Sequence, residues 1–157
     1  MKRFVRFAVP AVAALFLTGF GGVASADDDF ESPMTACLAN KTAIGDVGSC
    51  GKVWKIESGE ASLESNGRLH IKVTGLVLDD ASTGKFNGTA DGVTHVVGAI
   101  LCSGKLAVQT EWAALSNHGK AQIDTKVNLP SSCIAPTLVV REVWEGKVGG
   151  WLAAAGY

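Results

Sequence analysis

Residues 61–74 read ASLESNGRLHIKVT, and this stretch decides the fold class of the chain. Every second residue on each side of Asn66-Gly67 is apolar, which is the period of a β-strand with one buried face. Asn-Gly suits a type I′ turn because both central positions require a positive φ. The stretch therefore predicts a β-hairpin closed by a type I′ turn. Its inward positions are Ala61, Leu63, Leu69, Ile71 and Val73.

Short stretches with strand character continue on both sides of the hairpin. The predicted strands are 53–58, 61–64, 69–74, 93–102, 105–112, 121–129, 137–144 and a short last strand that ends near Ala155. Segments rich in Gly and Pro separate them, including a predicted loop at 79–92 and a corner at 130–136. About eight short strands predict an all-β fold, an antiparallel β-sandwich. The expected fold shares the sandwich architecture of immunoglobulin domains but not their hallmark residues, because the only tyrosine, Tyr157, cannot form a tyrosine corner.

The N-terminus has the pattern of a signal peptide. Three basic residues within the first six precede an apolar run over 7–20, and Ala24-Ser25-Ala26 supplies the small residues that a signal peptidase requires. The run is shorter than the roughly 20 residues of a membrane-spanning helix, so we expect no stable membrane insertion after cleavage. The sequence predicts a removable N-terminal signal helix in 1–26, a disulfide-stapled loop region in 27–51 and a β-sandwich domain in 52–157.

The charge balance argues against some partners. Cleavage at the predicted site removes three of the 14 basic side chains, which leaves 11 against 15 acidic ones and a net charge of −4. Nucleic acids and anionic membranes require a basic surface. We therefore expect no nucleic acid partner, and instead an extracellular ligand or a component of the cell envelope.

All four cysteines follow the predicted cleavage site: Cys37, Cys50, Cys102 and Cys133. An even number of cysteines in an exported chain indicates disulfides. Three connectivities are possible, and pairing nearest neighbours, Cys37 with Cys50 and Cys102 with Cys133, closes compact loops. A zinc site is the alternative, but the chain has no CxxC pair and no His at ligand spacing from a Cys. The sequence predicts two structural disulfides, a secreted protein and no cofactor.

Two segments resemble a known repeat. Residues 67–76 (GRLHIKVTGL) and 93–99 (VTHVVGA) are similar to the chordin-type (CHRD) repeat, which also occurs in exported bacterial proteins. With AQID at 121–124 and LPSSCIAP at 129–136 added, the run from Lys52 to Ala155 resembles uncharacterised exported bacterial proteins of similar size. The resemblance implies a β-sandwich of chordin-type architecture and names no reaction. Chordin-type strands often carry paired histidines, and the matching strand of this chain, 93–99, has His95 alone.

The chemistry-bearing motifs are few. The sequence contains no G-x-S-x-G elbow, no H-E-x-x-H motif and no Gly-rich loop leading into a helix, which removes three enzyme classes. Ser103, Ser116 or Ser131 could still meet a histidine in space. His70 and His95 could meet as metal ligands, with a carboxylate from Asp79 or Asp91. A small metal-binding protein or hydrolase is therefore one alternative, although hydrogen-bonded structural histidines explain the pattern more simply.

The four tryptophans offer a second alternative. Trp54 and Trp112 follow the apolar face of their strands, so we expect both inside. Trp144 and Trp151 stand beside Glu145 and Gly150, so we expect both to be open. Exposed aromatic rings can stack on sugars, and this pair predicts a carbohydrate-binding module. The favoured interpretation is an exported, non-catalytic binding or cell-surface module whose ligand the sequence does not identify.

Overall fold

The computed structural model describes residues 29–38, 42–90 and 92–156. They form strands that pair antiparallel, which confirms the all-β prediction, and the predicted signal peptide lies outside the described residues. In this part of the chain, no helix is both long enough and apolar enough to cross a membrane. The strands are β1 (Phe30–Pro33), β2 (Thr35–Ala36), β3 (Trp54–Lys55), β4 (Ser58–Leu63), β5 (Arg68–Thr74), β6 (Val77–Leu78), β7 (His95–Cys102), β8 (Lys105–Gln109), β9 (Ala113–Ala114), β10 (Ala121–Lys126), β11 (Pro136–Trp144) and β12 (Lys147–Ala155).

The strands form two larger sheets and one small one. Sheet A has the order β1-β4-β5-β10, and sheet B has the order β2-β12-β11-β7-β8, with β9 also paired to β7. The strands β3 and β6 pair with each other. Buried apolar side chains of sheets A and B belong to one core cluster. At Gly98 on β7, a Cβ atom would lie 3.1 Å from the Ile71 side chain and 3.3 Å from that of Ile123, so side chains of sheet A reach the backbone of sheet B.

The predicted hairpin exists, but its turn differs. β4 and β5 pair with Leu63 opposite Leu69, and the Gly67 N–H donates to the Glu64 carbonyl. Gly67 has a φ of +86°, whereas Asn66 is not among the residues with positive φ. The predicted type I′ turn at Asn66-Gly67 is therefore wrong, because a longer loop with a single left-handed glycine closes this hairpin.

Two-residue turns with positive φ at both positions occur elsewhere. Ser103 (φ 51°) and Gly104 (φ 77°) connect β7 to β8, and Glu145 (φ 49°) and Gly146 (φ 76°) connect β11 to β12. This is the backbone signature of a type I′ turn. The second turn follows Trp144 directly, so it fixes the end of β11 where the candidate site lies.

The N-terminal region contains more than the predicted stapled loop. β1 pairs with β4 at the edge of sheet A, and β2 pairs with β12 at the edge of sheet B. Met34, between these strands, is buried. This segment therefore links the two sheets before the chain reaches Cys37.

Both disulfides join nearest neighbours along the chain, which is the predicted pairing that closes compact loops. Cys37 bonds to Cys50, 13 positions away, and Cys102 bonds to Cys133, 31 positions away. The first pair is buried, whereas both cysteines of the second are partly exposed. Two disulfides are typical of extracellular proteins.

Several predicted segments have other bounds: the strand predicted at 53–58 is only β3, Trp54–Lys55, and the one predicted at 121–129 ends at Lys126. β8 ends at Gln109, before Trp112, and β12 begins at Lys147 as a nine-residue strand rather than a short one. The predicted loop at 79–92 contains a 3₁₀ segment, Ala81–Phe86, in which the Asp80 carboxylate accepts from the Ser82 N–H at 2.8 Å. This segment forms one wall of the candidate site.

Candidate functional site

A groove of about 380 Å³ opens between the small β3–β6 sheet, the 3₁₀ segment and the end of β11. We call it the Trp144 groove. Its apolar lining comes from Trp54, Leu78, Phe86, Val93 and Trp144. Its polar side chains are Lys52, Thr83 and Glu142, with Gly51 and Gly92 completing the wall. Most of the lining is apolar, which is typical of a site for a small organic ligand.

The depth of the groove comes from buried residues and its opening from two exposed rings. Trp54 is only 3% exposed, and Leu78 and Val93 are also buried. Trp144 is 49% exposed, and the Phe86 ring is also open to solvent. Aromatic rings left open beside a buried apolar floor provide contact area that a ligand can cover.

Glu142 is the acidic group of the groove. It stands two residues before Trp144 on β11, and both side chains line the same cavity. The Glu142 Oε1 accepts from the Gly150 N–H at 3.4 Å, a long hydrogen bond. Burial raises the pKa of the Glu142 carboxyl above its ordinary value, because a half-buried charge loses hydration. Among the described residues, Glu142 takes part in no ion pair.

The lysines near the groove contact other groups. The Lys52 ammonium lies 3.1 Å from Ser82 Oγ and 3.5 Å from Asp80 Oδ2. The hydrogen bonds from Ser82, assisted by Lys52, hold the pKa of Asp80 below its ordinary value. Lys85 lies over the Phe86 ring, 5.1 Å from its centroid, in a cation–π contact.

The structure separates the two tryptophans that were expected to be open. Trp144 is exposed, whereas Trp151 is only 5% exposed and its indole N–H donates to the Thr42 carbonyl at 3.0 Å. Ser49 also forms a backbone β-bridge to Trp151, so the segment before Cys50 lies against this residue through both its backbone and its indole ring. The expectation that Trp151 is exposed is therefore wrong, and the two rings do not form a shared platform.

Trp54 is buried as predicted, but Trp112 is 51% exposed. The prediction for Trp112 is wrong because β8 ends at Gln109 and the strand alternation stops before this residue. Its ring instead lies 5.8 Å from the His95 ring.

His70 and His95 lie on different sheets. His95 Nδ1 is 3.0 Å from the Thr94 hydroxyl. His70 Nδ1 is 2.5 Å from Asp124 Oδ1. That hydrogen bond is the main reason that the pKa of Asp124 lies below its ordinary value, followed by the one from Gln122. The two histidines are therefore held by separate partners.

Asp79 and Asp91 were the carboxylates expected to join the histidines as metal ligands. The structure does not bring Asp79 into such a site. Asp79 pairs with Lys55 at 3.3 Å, and Asp91 falls in a gap between the described ranges. Within those ranges, no three His, Cys, Asp or Glu side chains form a group that could hold a metal ion.

Of the three serines considered as nucleophiles, two have backbone partners. The Ser103 hydroxyl donates to the Ile134 carbonyl, and the Ser116 hydroxyl accepts from the Lys120 N–H. Register places a different serine beside a histidine: Ser62 stands opposite His70, which stands opposite Asp124. The three residues form one row across sheet A.

No protein-family model, curated protein or solved structure matches this chain. The similarity to chordin-type repeats therefore stays a prediction.

Proposed function

We propose that this chain is an exported, non-catalytic binding protein that holds a small, mainly apolar ligand in the Trp144 groove. The observation that carries the proposal is the exposed Trp144 ring beside a floor of buried apolar side chains. A stacked ligand ring would remove the exposed indole face from water, a favourable change that scales with the apolar area covered.

The proposed architecture is a β-sandwich of sheets A and B. Its support is the shared core cluster and the approach of Ile71 and Ile123 to Gly98. Export is supported by the signal-like N-terminal sequence and by two disulfides, which persist in oxidising compartments. In this proposal, the scaffold holds the groove rigid, and the Cys37–Cys50 disulfide stabilises the segment that leads into the groove residue Gly51.

The groove favours binding over catalysis. Its lining includes one carboxyl group, Glu142, and one ammonium group, Lys52, and no His, Ser or Cys among the described residues. General acid–base and nucleophilic catalysis use such groups within hydrogen-bond reach of each other. A carbohydrate module is less well supported, since Trp151 is buried and the lining offers few hydroxyl-binding groups.

A titration with 2-phenylethanol tests the proposal with a neutral aromatic probe. We expect a saturable change in tryptophan fluorescence for the native protein and a loss of affinity of about tenfold or more in Trp144→Ala. Trp112→Ala is the matched control, because Trp112 is equally exposed but lies beside His95. Equal effects of the two substitutions, or no saturable binding of this probe or of a charged probe with the same aromatic body, would contradict the proposal.

A second candidate function is hydrolysis at the row Ser62, His70 and Asp124. The observation that favours it is the register of three strands, which gives the serine, histidine and carboxylate in the order of a catalytic triad. The row lies on an open sheet face rather than in the groove. Covalent labelling by a fluorophosphonate, with Ser62→Ala and Asp124→Asn as controls, decides it: labelling at Ser62 supports hydrolysis and no labelling excludes this nucleophile.

A further inference from the structure

We propose that the ligand of the Trp144 groove is an organic cation, whose ammonium or guanidinium group bonds the Glu142 carboxylate while its apolar body lies against Trp144. This inference rests on the proposed binding function and adds the charge of the ligand.

The Glu142 carboxylate has few partners in the protein. Its one hydrogen bond comes from the Gly150 N–H at 3.4 Å, and Glu142 forms no ion pair within the described ranges. Its Cγ and Oε1 pack over Gly149, where a Cβ atom would lie 2.8 and 2.6 Å from them. Glu142 lines the groove, and a half-buried carboxylate with a single long hydrogen bond has unused acceptor capacity that a cationic donor satisfies best.

The neighbouring cations of the protein have other partners. Lys52 contacts Asp80 and Ser82. The guanidinium of Arg141 donates from Nε and Nη2 to the Gly149 carbonyl and from Nη1 to Gln109 Oε1. None of these bonds involves Glu142, which leaves its carboxylate available to a cation from outside the chain.

The walls of the groove also suit a positive charge. Trp144 and Phe86 contribute aromatic rings to the lining, and the faces of such rings attract cations through the ring quadrupole. The Phe86 ring already takes part in one cation–π contact, with the Lys85 ammonium 5.1 Å from its centroid, although Lys85 is not part of the groove lining. A carboxylate beside aromatic rings complements an alkyl or aryl ammonium better than a neutral or anionic ligand.

Three probes with one aromatic body test the charge preference: phenethylamine, 2-phenylethanol and 3-phenylpropanoate. Calorimetry or fluorescence titration of the full mature chain at neutral pH should rank the amine first by about tenfold or more over the alcohol, with the carboxylate weakest. Glu142→Gln should remove the preference for the amine and leave the affinity for the alcohol within about twofold. Glu145→Gln, on the exposed turn beside the groove, is the matched control and should keep the full preference.

The outcomes separate the two proposals. If the alcohol binds at Trp144 as tightly as the amine, or if the preference survives Glu142→Gln, the cationic ligand is refuted while the binding function stands. If none of the three probes binds, the binding function fails together with it. Should Glu142→Gln unfold the protein, the ranking of the three probes on the native chain still decides the charge of the ligand.

Discussion

The Trp144 ring lies directly against the backbone of Gly92. A Cβ atom at position 92 would be 2.5 Å from Cζ3 and 2.9 Å from Cη2 of the indole, closer than real Cβ atoms come to other atoms. Gly92 also has a φ of +93°, which side-chain-bearing residues rarely adopt. The position of the exposed ring in the groove therefore depends on a residue that has no side chain.

Gly92→Ala should displace the Trp144 ring and abolish probe binding. Gly88→Ala is the matched control, because Gly88 also has a positive φ, +80°, but no atom lies within 4 Å of the position that an alanine methyl would take there. Both substitutions should cost roughly 1 kcal/mol or more for the left-handed backbone. Only Gly92→Ala should also change the Trp144 fluorescence and the binding. Normal probe affinity in Gly92→Ala would show that the ring does not need this contact.

The Glu142 carboxyl should weaken the ligand-free fold as pH rises. A group whose pKa is raised on folding favours the folded state below its unfolded pKa, and that contribution is lost as pH rises through the folded pKa. Glu142→Gln should therefore be more stable than the native chain at pH 7. The two should converge below about pH 4, where the carboxyl is protonated.

Urea unfolding of both chains across this pH range measures the difference, with Glu145→Gln as an exposed control. A native chain that is more stable than Glu142→Gln at pH 7 would mean that the carboxylate has a favourable partner in the folded state.

The two disulfides should differ in their response to reduction. Cys102–Cys133 is partly exposed and Cys37–Cys50 is buried, so mild reductant and alkylation of the folded protein should modify the former pair first. Replacing Cys102 and Cys133 together by Ser should cost about 2 to 5 kcal/mol. Mass spectrometry of Cys102→Ser should find the free thiol at Cys133. A free thiol at Cys37 or Cys50 instead would contradict the pairing.

The sequence predicted those features of the fold that depend on residues close together in the chain, such as strand alternation and disulfide pairing. The alternation from Leu69 to Thr74 predicted β5, observed at Arg68–Thr74, because one face of that strand is buried and the other is not. Loop length favoured the observed disulfides. The turn at Asn66-Gly67 was mispredicted because the same dipeptide fits a turn with one or two left-handed residues, and strand register selects between them.

Most of the groove could not be predicted, since its walls come from segments far apart in sequence. Trp54, Phe86 and Trp144 line one groove because of tertiary packing. The spacing of apolar residues along the sequence does not indicate that these three residues are close in space. Trp151 has polar and glycine neighbours like an exposed residue, yet the segment before Cys50 covers it. The signal for Glu142 was weak but present, because an acidic residue two positions before Trp144 shares its side of a strand.

The most direct test of the binding groove is an NMR titration that follows the indole N–H signals of the four tryptophans with phenethylamine. Trp144→Ala and Trp112→Ala assign two of the signals. We predict a saturable shift of the Trp144 signal, with the signals of Trp112 and Trp151 unchanged, because the first is exposed outside the groove and the second is buried against Thr42. A Trp144 signal that stays in place at saturating probe, or one that moves no more than that of Trp112, would contradict the proposed binding at this ring.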